Sequence, residues 1–380
     1  MEIVEDQKWE AITPEMVGNR CKKLANWKGP GPDKVQNFWL KYLHALHPQL
    51  ADLLQDATTN PSNTPEWLTR GRTTLVHKKG PTNVAKNYRP ITCLPTYYKL
   101  LTMIFTDQVY DHVTKYNILP LEQKGVRRKA RGCKDQLLLD KVIMEDAKKR
   151  SRNLSMMWID YKKAYDSVPH TWIIECLKMY KLNENIVNFI EYTMTYWKTQ
   201  VSIHHEGGTT KSEDIKFNTG IFQGDTLSPL IFCLALAPIS HILKRLGMGY
   251  KIAGTTISNS LYIDDLKVFA TDAKQMMNCK TIIQEFSNDI GMSFGLEKCA
   301  VIHIKKGKVN NTPDTLEIPI LDQEESYKYL GILESNSIQH TTAKAVARKE
   351  YFKRVRSILK AEINAKYTTE AIRTFAMPVL

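Results

Sequence analysis

Residues 261–270 read LYIDDLKVFA and place two adjacent carboxylates, Asp264 and Asp265, between two apolar runs. The apolar residues on either side predict two short strands. Aspartate is poor inside a strand and common in turns, so the pair is expected at the tip of a β-hairpin. Two carboxylates held this close repel each other unless a cation lies between them, and hard oxygen ligands suit Mg²⁺ or Mn²⁺. For this segment alone, an ordinary Asp-Asp turn on a solvated hairpin is the alternative.

A matching carboxylate lies upstream, in residues 156–168, MMWIDYKKAYDSV. The apolar run ends at Asp160, which predicts a buried strand that delivers this carboxylate at its end. Two-metal phosphoryl transfer needs carboxylates from separate strands that converge on ions roughly 3.5–4 Å apart. We therefore predict that Asp160 and Asp264 bridge two metal ions and that Asp265 is an auxiliary ligand. One ion would activate an attacking 3′-hydroxyl and the other would stabilise the leaving pyrophosphate.

Five segments, in chain order, carry a family resemblance: WIDYKKAYDSV, GIFQGDTLSPLIF, LYIDDLKVFA, GLEKCAVIHI and YKYLGI. They resemble motifs A to E of reverse transcriptases, over roughly residues 20–380. The QGDTLSP form, with NYRPI upstream, is similar to the non-LTR (LINE-type) retrotransposon branch. The resemblance implies an α+β right-hand polymerase fold, with fingers, a palm built on an antiparallel sheet, and a partial helical thumb. It also implies an enzyme that extends a DNA or RNA primer with dNTPs on an RNA template, using two Mg²⁺ ions, with Mn²⁺ as an alternative.

Composition is compatible with that activity. The 380 residues carry 53 Lys and Arg against 40 Asp and Glu, a net charge of +13, which favours a polyanionic partner such as nucleic acid. The seven cysteines form no CxxC pair, so neither a zinc site nor a disulfide framework is indicated. No run of about 18 apolar residues and no apolar signal core are present, so we expect no membrane association and a location in the nucleus or cytoplasm.

The resemblance also implies domain boundaries. The expected divisions are an N-terminal extension (1–66), fingers (67–155), a palm (156–337) with a fingers insertion as an option around 171–215, and the truncated start of a thumb (338–380). The thumb is expected to begin with a basic amphipathic helix over 341–365.

Several residues match positions of the family that hold the incoming nucleotide. Arg89 and one or both of Lys78 and Lys79 match the cations that grip the triphosphate, although a solvated turn is an alternative for the lysines. Tyr165 matches the bulky residue beneath the sugar, with a core aromatic as its alternative. The resemblance also implies that Tyr161, next to Asp160, contributes to both the metal site and the nucleotide site.

Three further residues complete the expected nucleotide site. Gln223 can contact the nucleotide or a template base, and Gly224 allows the backbone to approach a ligand closely. Lys298 matches the family's motif D lysine, a proposed general acid for the leaving pyrophosphate, with a surface lysine at a strand entry as the alternative.

Primer and template contacts are expected at Tyr262 and at a tight hairpin that contains Tyr329, Leu330 and Gly331, which resembles the primer grip. The cations of residues 124–131, KGVRRKAR, predict contact with backbone phosphates or, alternatively, a solvated loop. Two rival functions stay open: a catalytically inactive remnant that only binds nucleic acid, and a group II intron-type maturase, which the QGDTLSP form disfavours.

Overall fold

The computed structural model describes residues 3–205, 208–310 and 316–380, and these combine helices with mostly antiparallel sheets, which confirms the α+β class. The α-helices are α1 (Pro14–Lys22), α2 (Asn37–Tyr42), α3 (His47–Thr59), α4 (Thr96–Lys115), α5 (Cys133–Lys149), α6 (Ala164–Ser167), α7 (His170–Met179), α8 (Glu184–Met194), α9 (Ser228–Arg245), α10 (Ala273–Asp289), α11 (His340–Leu359) and α12 (Ala365–Ala371). The strands are β1 (Arg70–His77), β2 (Tyr88–Cys93), β3 (Leu154–Ile159), β4 (Lys198–His205), β5 (Gly208–Lys216), β6 (Tyr250–Ile252), β7 (Thr255–Ile257), β8 (Asn259–Tyr262), β9 (Asp265–Ala270), β10 (Ala300–Lys305), β11 (Lys308–Val309), β12 (Tyr327–Tyr329) and β13 (Ile332–Glu334).

A five-stranded antiparallel sheet in the order β11-β10-β3-β9-β8 carries the predicted carboxylates. Its middle strand, β3, is apolar throughout apart from Ser155, and all six of its residues are buried. Met157 and Ile159 face the main core, whereas Leu154, Met156 and Trp158 face a second cluster that includes α5. Burial on both faces explains why β3 reads as a continuous apolar run rather than an alternating one.

A separate four-stranded sheet has the order β2-β1-β4-β5. Strand β1 pairs antiparallel with β2 and parallel with β4, so residues distant in sequence meet side by side. Strands β4 and β5 lie in the segment where a fingers insertion is expected, around 171–215, and β5 extends one residue beyond it. This sheet carries Arg89 and places Lys78 directly after β1.

Helix α9 passes through the main core, and its first turn is held by Asp225. The helix is apolar almost all round, with most of its side chains buried. Asp225, itself buried, accepts a hydrogen bond from Thr102 Oγ1 of α4 at 2.6 Å and another from the Leu227 N–H at 3.3 Å. The aspartate of the QGD segment therefore joins two core helices and satisfies a free amide at a helix start.

The Gly-Pro loop at residues 29–33 packs against the start of α4. A side chain at Gly31 would meet the Leu94 carbonyl oxygen at 2.1 Å, so this close approach requires glycine. The Asp33 carboxylate accepts a hydrogen bond from the Thr96 N–H. The loop thus supports the start of α4.

The C-terminal region differs from the sequence prediction. Helix α11 ends at Leu359 rather than 365, because Asn364 caps a second helix by accepting a hydrogen bond from the Tyr367 N–H at 3.1 Å. The following turns return to α11, where Arg354 donates to the Phe375 carbonyl at 2.9 Å. No residue of α11 is buried. Within the ranges given above, no helix is both long and apolar enough to span a bilayer.

Candidate active site

The three predicted carboxylates lie at neighbouring strand ends. Strand β3 pairs with β9 in a register that sets Ile159 opposite Leu266, so Asp160 follows β3 at the end where Asp265 begins β9. Strands β8 and β9 form a two-residue hairpin in which Tyr262 pairs with Asp265, and Asp264 occupies its turn. The predicted hairpin and the strand that ends at Asp160 are therefore both present, and the antiparallel register brings their carboxylates to one edge of the sheet.

The hairpin turn is strained at Ile263, which has a φ of 59°. This left-handed conformation is unusual for a β-branched residue and costs on the order of 1–3 kcal/mol, so the surroundings must hold it. Gln123, which is fully buried, provides that support. Its Oε1 accepts a hydrogen bond from the Ile263 N–H at 2.9 Å, and its Nε2 donates to the Ile263 carbonyl at 3.3 Å.

The segment around Gln123 runs alongside β8, at the edge of the five-stranded sheet. The Leu261 N–H donates to the Glu122 carbonyl at 3.0 Å, and the Lys124 N–H donates back to the Leu261 carbonyl at 2.9 Å. Sequence reasoning missed this support because it treated the region as a basic loop. The feature of the sequence that pointed to this close packing was Gly125, because a side chain there would lie 2.6 Å from Ile263 Cγ1.

The electrostatics of the cluster are those of crowded carboxylates. Burial raises the pKa of Asp264, and Asp160 raises it further, whereas Arg89 and Lys298 are close enough to lower it. Burial, followed by the charges of Asp264 and Asp160, raises the pKa of Asp265 to about 6. Both shifts have the sign expected where burial and neighbouring anions disfavour the ionised carboxylate.

Lys298 lies against this cluster. Its Nζ is 3.2 Å from Asp160 Oδ2, and the lysine side chain is 64% exposed. The Gly295 N–H donates to the Asp160 carbonyl at 2.7 Å, so the loop that precedes β10 wraps around the aspartate. Lys298 therefore reaches the carboxylate cluster and remains open to solvent.

The donor set suits a hard divalent cation. Three carboxylates at adjacent strand ends, two with raised pKa values, would be stabilised in their ionised form by such an ion. Among the described residues, however, no three His, Cys, Asp or Glu side chains are already grouped as a ligand cluster. Asp160 Oδ2 lies 3.2 Å from Lys298 Nζ, so this carboxylate already has one cation beside it.

A cationic cavity of about 500 Å³ is lined by the end of the β1–β2 hairpin, and Arg89 in this lining is close enough to Asp264 to lower its pKa. Its lining includes the predicted Lys78, Lys79 and Arg89, together with Lys86, which sequence reasoning missed. The lining contains no acidic side chain, so its four cations are suited to a polyphosphate. The signal for Lys86 was its place two residues before the strand that carries Arg89.

A family profile described as reverse transcriptase (RNA-dependent DNA polymerase) matches residues 76–333, more than half of the chain, and includes all of these carboxylates and cations. The chain belongs to the reverse transcriptase family. The predicted family is thereby confirmed. The assignment of the four-stranded sheet to the fingers and of the five-stranded sheet to the palm stays a prediction.

Relatives of this reverse transcriptase come from non-LTR retrotransposons. The Pol polyprotein of element R2DM from Drosophila melanogaster is 23% identical over 388 residues, covering 98% of this chain and 34% of the relative. An R2 polyprotein from Popillia japonica is 26% identical, covering 68% of this chain and 37% of the relative. The RNA-directed DNA polymerase from mobile element jockey of Drosophila funebris is 22% identical, covering 87% and 36%. This chain therefore spans a little over a third of the length of these relatives.

A solved telomerase from Candida tropicalis is 14% identical and has a TM-score of 0.45, covering 76% of this chain and 58% of that one.

Tyr165 and Tyr161 occupy different environments in the reverse transcriptase. Tyr165 stacks on Phe232 with ring centroids 4.8 Å apart, and burial, with Cys233 and Asp264 nearby, raises its pKa. Its ring is therefore a rigid, uncharged surface near the catalytic hairpin. The Tyr161 ring is buried and its hydroxyl is 3.1 Å from Ser287 Oγ, so only the main chain of Tyr161 is left to serve a metal or nucleotide.

Gln223 and Gly224 join the palm to the fingers. The Gln223 carbonyl accepts a hydrogen bond from the Thr92 N–H of β2 at 2.8 Å, and its side chain reaches Asp166 at 3.4 Å. Gly224 has a φ of 135°, and a side chain there would meet the Thr92 carbonyl oxygen at 2.4 Å. The close approach that requires glycine is thus to the fingers strand, and an approach to a ligand stays a prediction.

The expected primer hairpin is present as β12 and β13, joined by Leu330 and Gly331, both with positive φ. The Tyr329 ring is only 3% exposed and packs inside the palm, so a contact between this ring and a primer is not available. The exposed part of the hairpin is its tip. Tyr262, half-buried beside Gly132, remains accessible at the catalytic hairpin.

The basic loop is only partly free for phosphate contacts. Arg127 donates to the Leu119 carbonyl at 2.7 Å, and Arg128 pairs with Asp107 and stacks on Tyr110. The guanidinium groups of these two residues therefore already have partners within the protein, and phosphate contact by the cations of this loop stays a prediction. Pattern alone could not separate a structural arginine from a free one.

Gln123→Leu is expected to slow nucleotide addition by roughly 10- to 100-fold. Two buried main-chain groups of Ile263 would lose their partner, at about 1–3 kcal/mol for an unsatisfied group. The rate of single-nucleotide addition, measured against divalent ion concentration, checks this, since a loosened hairpin should also need more metal. Gln123→Glu, which can still accept from the Ile263 N–H, is the matched control and should lose less.

Adding Ile263→Gly should reduce the cost of Gln123→Leu, because glycine adopts the left-handed conformation without strain. Wild-type rates and metal dependence for a folded Gln123→Leu variant would contradict the role assigned to Gln123.

Proposed function

We propose that this chain is an RNA-directed DNA polymerase of non-LTR retrotransposon type, which extends a DNA or RNA primer with dNTPs on an RNA template. The observation that carries the proposal is the meeting of Asp160, Asp264 and Asp265 at one sheet edge, within electrostatic reach of Arg89, which lines a cavity of neutral and cationic residues. Carboxylates for metal ions and cations for a triphosphate are the two parts that phosphoryl transfer requires.

Asp160, Asp264, Asp265 and the main-chain carbonyl of Tyr161 would hold two Mg²⁺ ions, with Mn²⁺ as an alternative. Bound there, the ions would supply Lewis-acid activation of the primer hydroxyl and charge stabilisation at the leaving group. By holding both ions, the carboxylates would fix the positions of the primer hydroxyl oxygen and of the leaving-group oxygen. Their raised pKa values also indicate that catalysis weakens in acid, where Asp265 becomes protonated.

The remaining residues orient the substrates. Arg89, Lys78 and Lys79 bind the triphosphate, with Arg89 nearest to Asp264. Tyr165 forms the surface beneath the sugar, and Gln223 contacts the nucleotide or the template base. Lys298, whose Nζ lies 3.2 Å from Asp160 Oδ2, would donate a proton to the departing pyrophosphate. Tyr262 and the tip of the β12–β13 hairpin contact the primer end.

A nucleic-acid-binding remnant without catalysis is the rival function. The site opposes it, since Asp160, Asp264, Asp265 and Arg89 keep the residue types and the placement that the chemistry needs. The deciding assay is primer extension on poly(rA)/oligo(dT) with Mg²⁺, compared with the same reaction in EDTA. Metal-dependent extension supports the polymerase, and tight binding without extension in Mg²⁺ or Mn²⁺ supports the remnant.

Helix α11 is expected to bind duplex phosphates electrostatically. Lys349, Lys353 and Arg356 are exposed on it. Replacing these three with Gln should flatten the salt dependence of binding, and the log–log slope should change by about 0.9 for each phosphate that is no longer neutralised. Products should also shorten when a trap captures released enzyme, while single-nucleotide addition at saturating template is unchanged.

The matched pair for that experiment is Arg356→Gln and Arg354→Gln. Arg354 already binds Glu350 at 2.8 Å and the Phe375 carbonyl, so its replacement should change the slope less. Equal slopes in the wild type and the triple variant would show that α11 does not hold the duplex.

A further inference from the structure

Three charged side chains are fully buried inside the palm, away from the carboxylate cluster. Lys267 of β9, Asp140 of α5 and Glu334 of β13 are each 0% exposed. Lys267 Nζ donates to Glu334 Oε2 at 2.7 Å and lies 3.1 Å from Asp140 Oδ2. Three elements that are far apart in sequence therefore meet at one ammonium group.

Aromatic rings enclose the ammonium group. Lys267 Nζ is 4.8 Å from the centre of the Trp158 ring and 5.1 Å from that of Tyr329. The rings exclude water and add cation–π attraction. A buried ion pair is often no more stabilising than apolar residues of the same volume, so stability alone does not explain this cluster. Its directional bonds instead specify how the three elements sit relative to one another.

The positions of Lys267 and Glu334, the two residues of the ion pair, connect the cluster to the proposed reaction. Lys267 is two residues after Asp265 on β9, and therefore points from the same face of the strand. Glu334 ends β13, whose hairpin partner β12 contributes Tyr329 to the same cluster. One end of the ion pair is thus fixed to the catalytic strand, and the other is fixed to the hairpin assigned to the primer.

We propose that Lys267 is a positioning residue that clamps the β12–β13 hairpin to the catalytic strand, and so sets the primer 3′ end relative to Asp264 and Asp265. The primer contact of this hairpin rests on the function proposed above. The clamp itself is the Lys267–Glu334 bond, and Asp140 is the second anion on the same ammonium group.

The charge balance distinguishes the two anions. Two carboxylates face one ammonium group, and burial together with the neighbouring Glu334 raises the pKa of Asp140 to about 7, although Lys267 lowers it. Glu334 makes the shorter contact with the ammonium group, since its Oε2 lies 2.7 Å from Lys267 Nζ and Asp140 Oδ2 lies 3.1 Å from it. A neutral side chain at 140 leaves the clamp in place, and a neutral side chain at 334 removes its charge.

The test compares two isosteric variants, Glu334→Gln and Asp140→Asn, each of which keeps one ion pair on Lys267. Hydrogen exchange of the β12 and β13 amides reports the clamp without metal or substrate. We expect faster exchange in Glu334→Gln and exchange near the wild-type rate in Asp140→Asn. If Glu334→Gln does not fold, Glu334→Asp, which keeps the charge but shortens the reach, gives the same comparison.

The second readout is single-nucleotide addition at saturating template–primer and dNTP. Glu334→Gln should be slower by tenfold or more with template–primer Kd within twofold of wild type, and Asp140→Asn should be within about twofold in both. Wild-type exchange and rate in Glu334→Gln would overturn the proposal. Equal losses of rate in both variants, in proportion to the fall in their melting temperatures, would also overturn it, because they would indicate that the cluster only stabilises the fold. If the wild-type protein extends no primer, the proposed function fails, and the exchange comparison still decides the clamp.

Discussion

Asp264→Asn is expected to abolish primer extension while template–primer binding stays close to that of the wild type. Asp264 occupies the turn of the catalytic hairpin, where Asp160 raises its pKa and Arg89 lowers it. An amide keeps the shape but loses the charge that binds a divalent ion. Losing several kcal/mol of charge stabilisation in the transition state lowers the rate by on the order of 10³-fold, since about 1.4 kcal/mol is a factor of ten. Asp160→Asn should behave in the same way.

Extension is measured as single-nucleotide addition in Mg²⁺, with binding measured separately in EDTA. Asp52→Asn on the exposed face of α3 removes the same charge far from the site and serves as the control. Extension by Asp264→Asn at a rate near that of Asp52→Asn would reject the catalytic assignment. Loss of binding together with extension would instead indicate a folding defect, which the melting temperature reveals.

Tyr165→Ala is expected to raise ribonucleotide incorporation relative to deoxyribonucleotide incorporation by roughly 10- to 200-fold. A 2′-hydroxyl pressed against an immovable ring costs about 1–3 kcal/mol, which corresponds to that range. Stacking on Phe232 holds the Tyr165 ring in place, and Asp264 lies close enough to affect its pKa. The ring is therefore both rigid and near the reacting centre, as a barrier to the 2′-hydroxyl must be.

The measurement is the ratio of kcat/KM for a dNTP and the matching rNTP. Tyr165→Phe keeps the ring and loses only the hydroxyl, so it should discriminate as the wild type does. An unchanged ratio in a folded, active Tyr165→Ala enzyme would show that Tyr165 is only a core aromatic. Parallel loss of both activities would point the same way.

The strongest predictions came from segments where local chemistry and position agree. An apolar run that ends in Asp160 becomes a buried strand whatever surrounds it, because its side chains have no other favourable place. Adjacent aspartates between apolar runs favour a turn because aspartate is poor inside a strand and common in turns, and here Asp264 lies in the turn while Asp265 begins β9. The chain order of these segments was enough to predict the family.

Other predictions failed or were incomplete where partners distant in sequence decide the outcome. Arg127 and Arg128 read as free cations, yet each binds a carbonyl or carboxylate of the protein. Tyr329 lies in the expected hairpin, but its ring turns into the palm, where it packs beside the Lys267 ammonium group. A cation or a ring in a loop has the same local pattern whether it faces water or protein.

The sequence by itself determined the family and the strands and hairpin whose ends place Asp160, Asp264 and Asp265. Each of these depends on spacing within a short segment, where local preferences decide the conformation. Only the tertiary structure decided that Gln123 holds the strained turn at Ile263 and that Lys267 joins β9 to α5 and β13. Gln123 lies 140 residues from the turn that it supports, so its bonds exist only after the palm sheet has brought the two segments together.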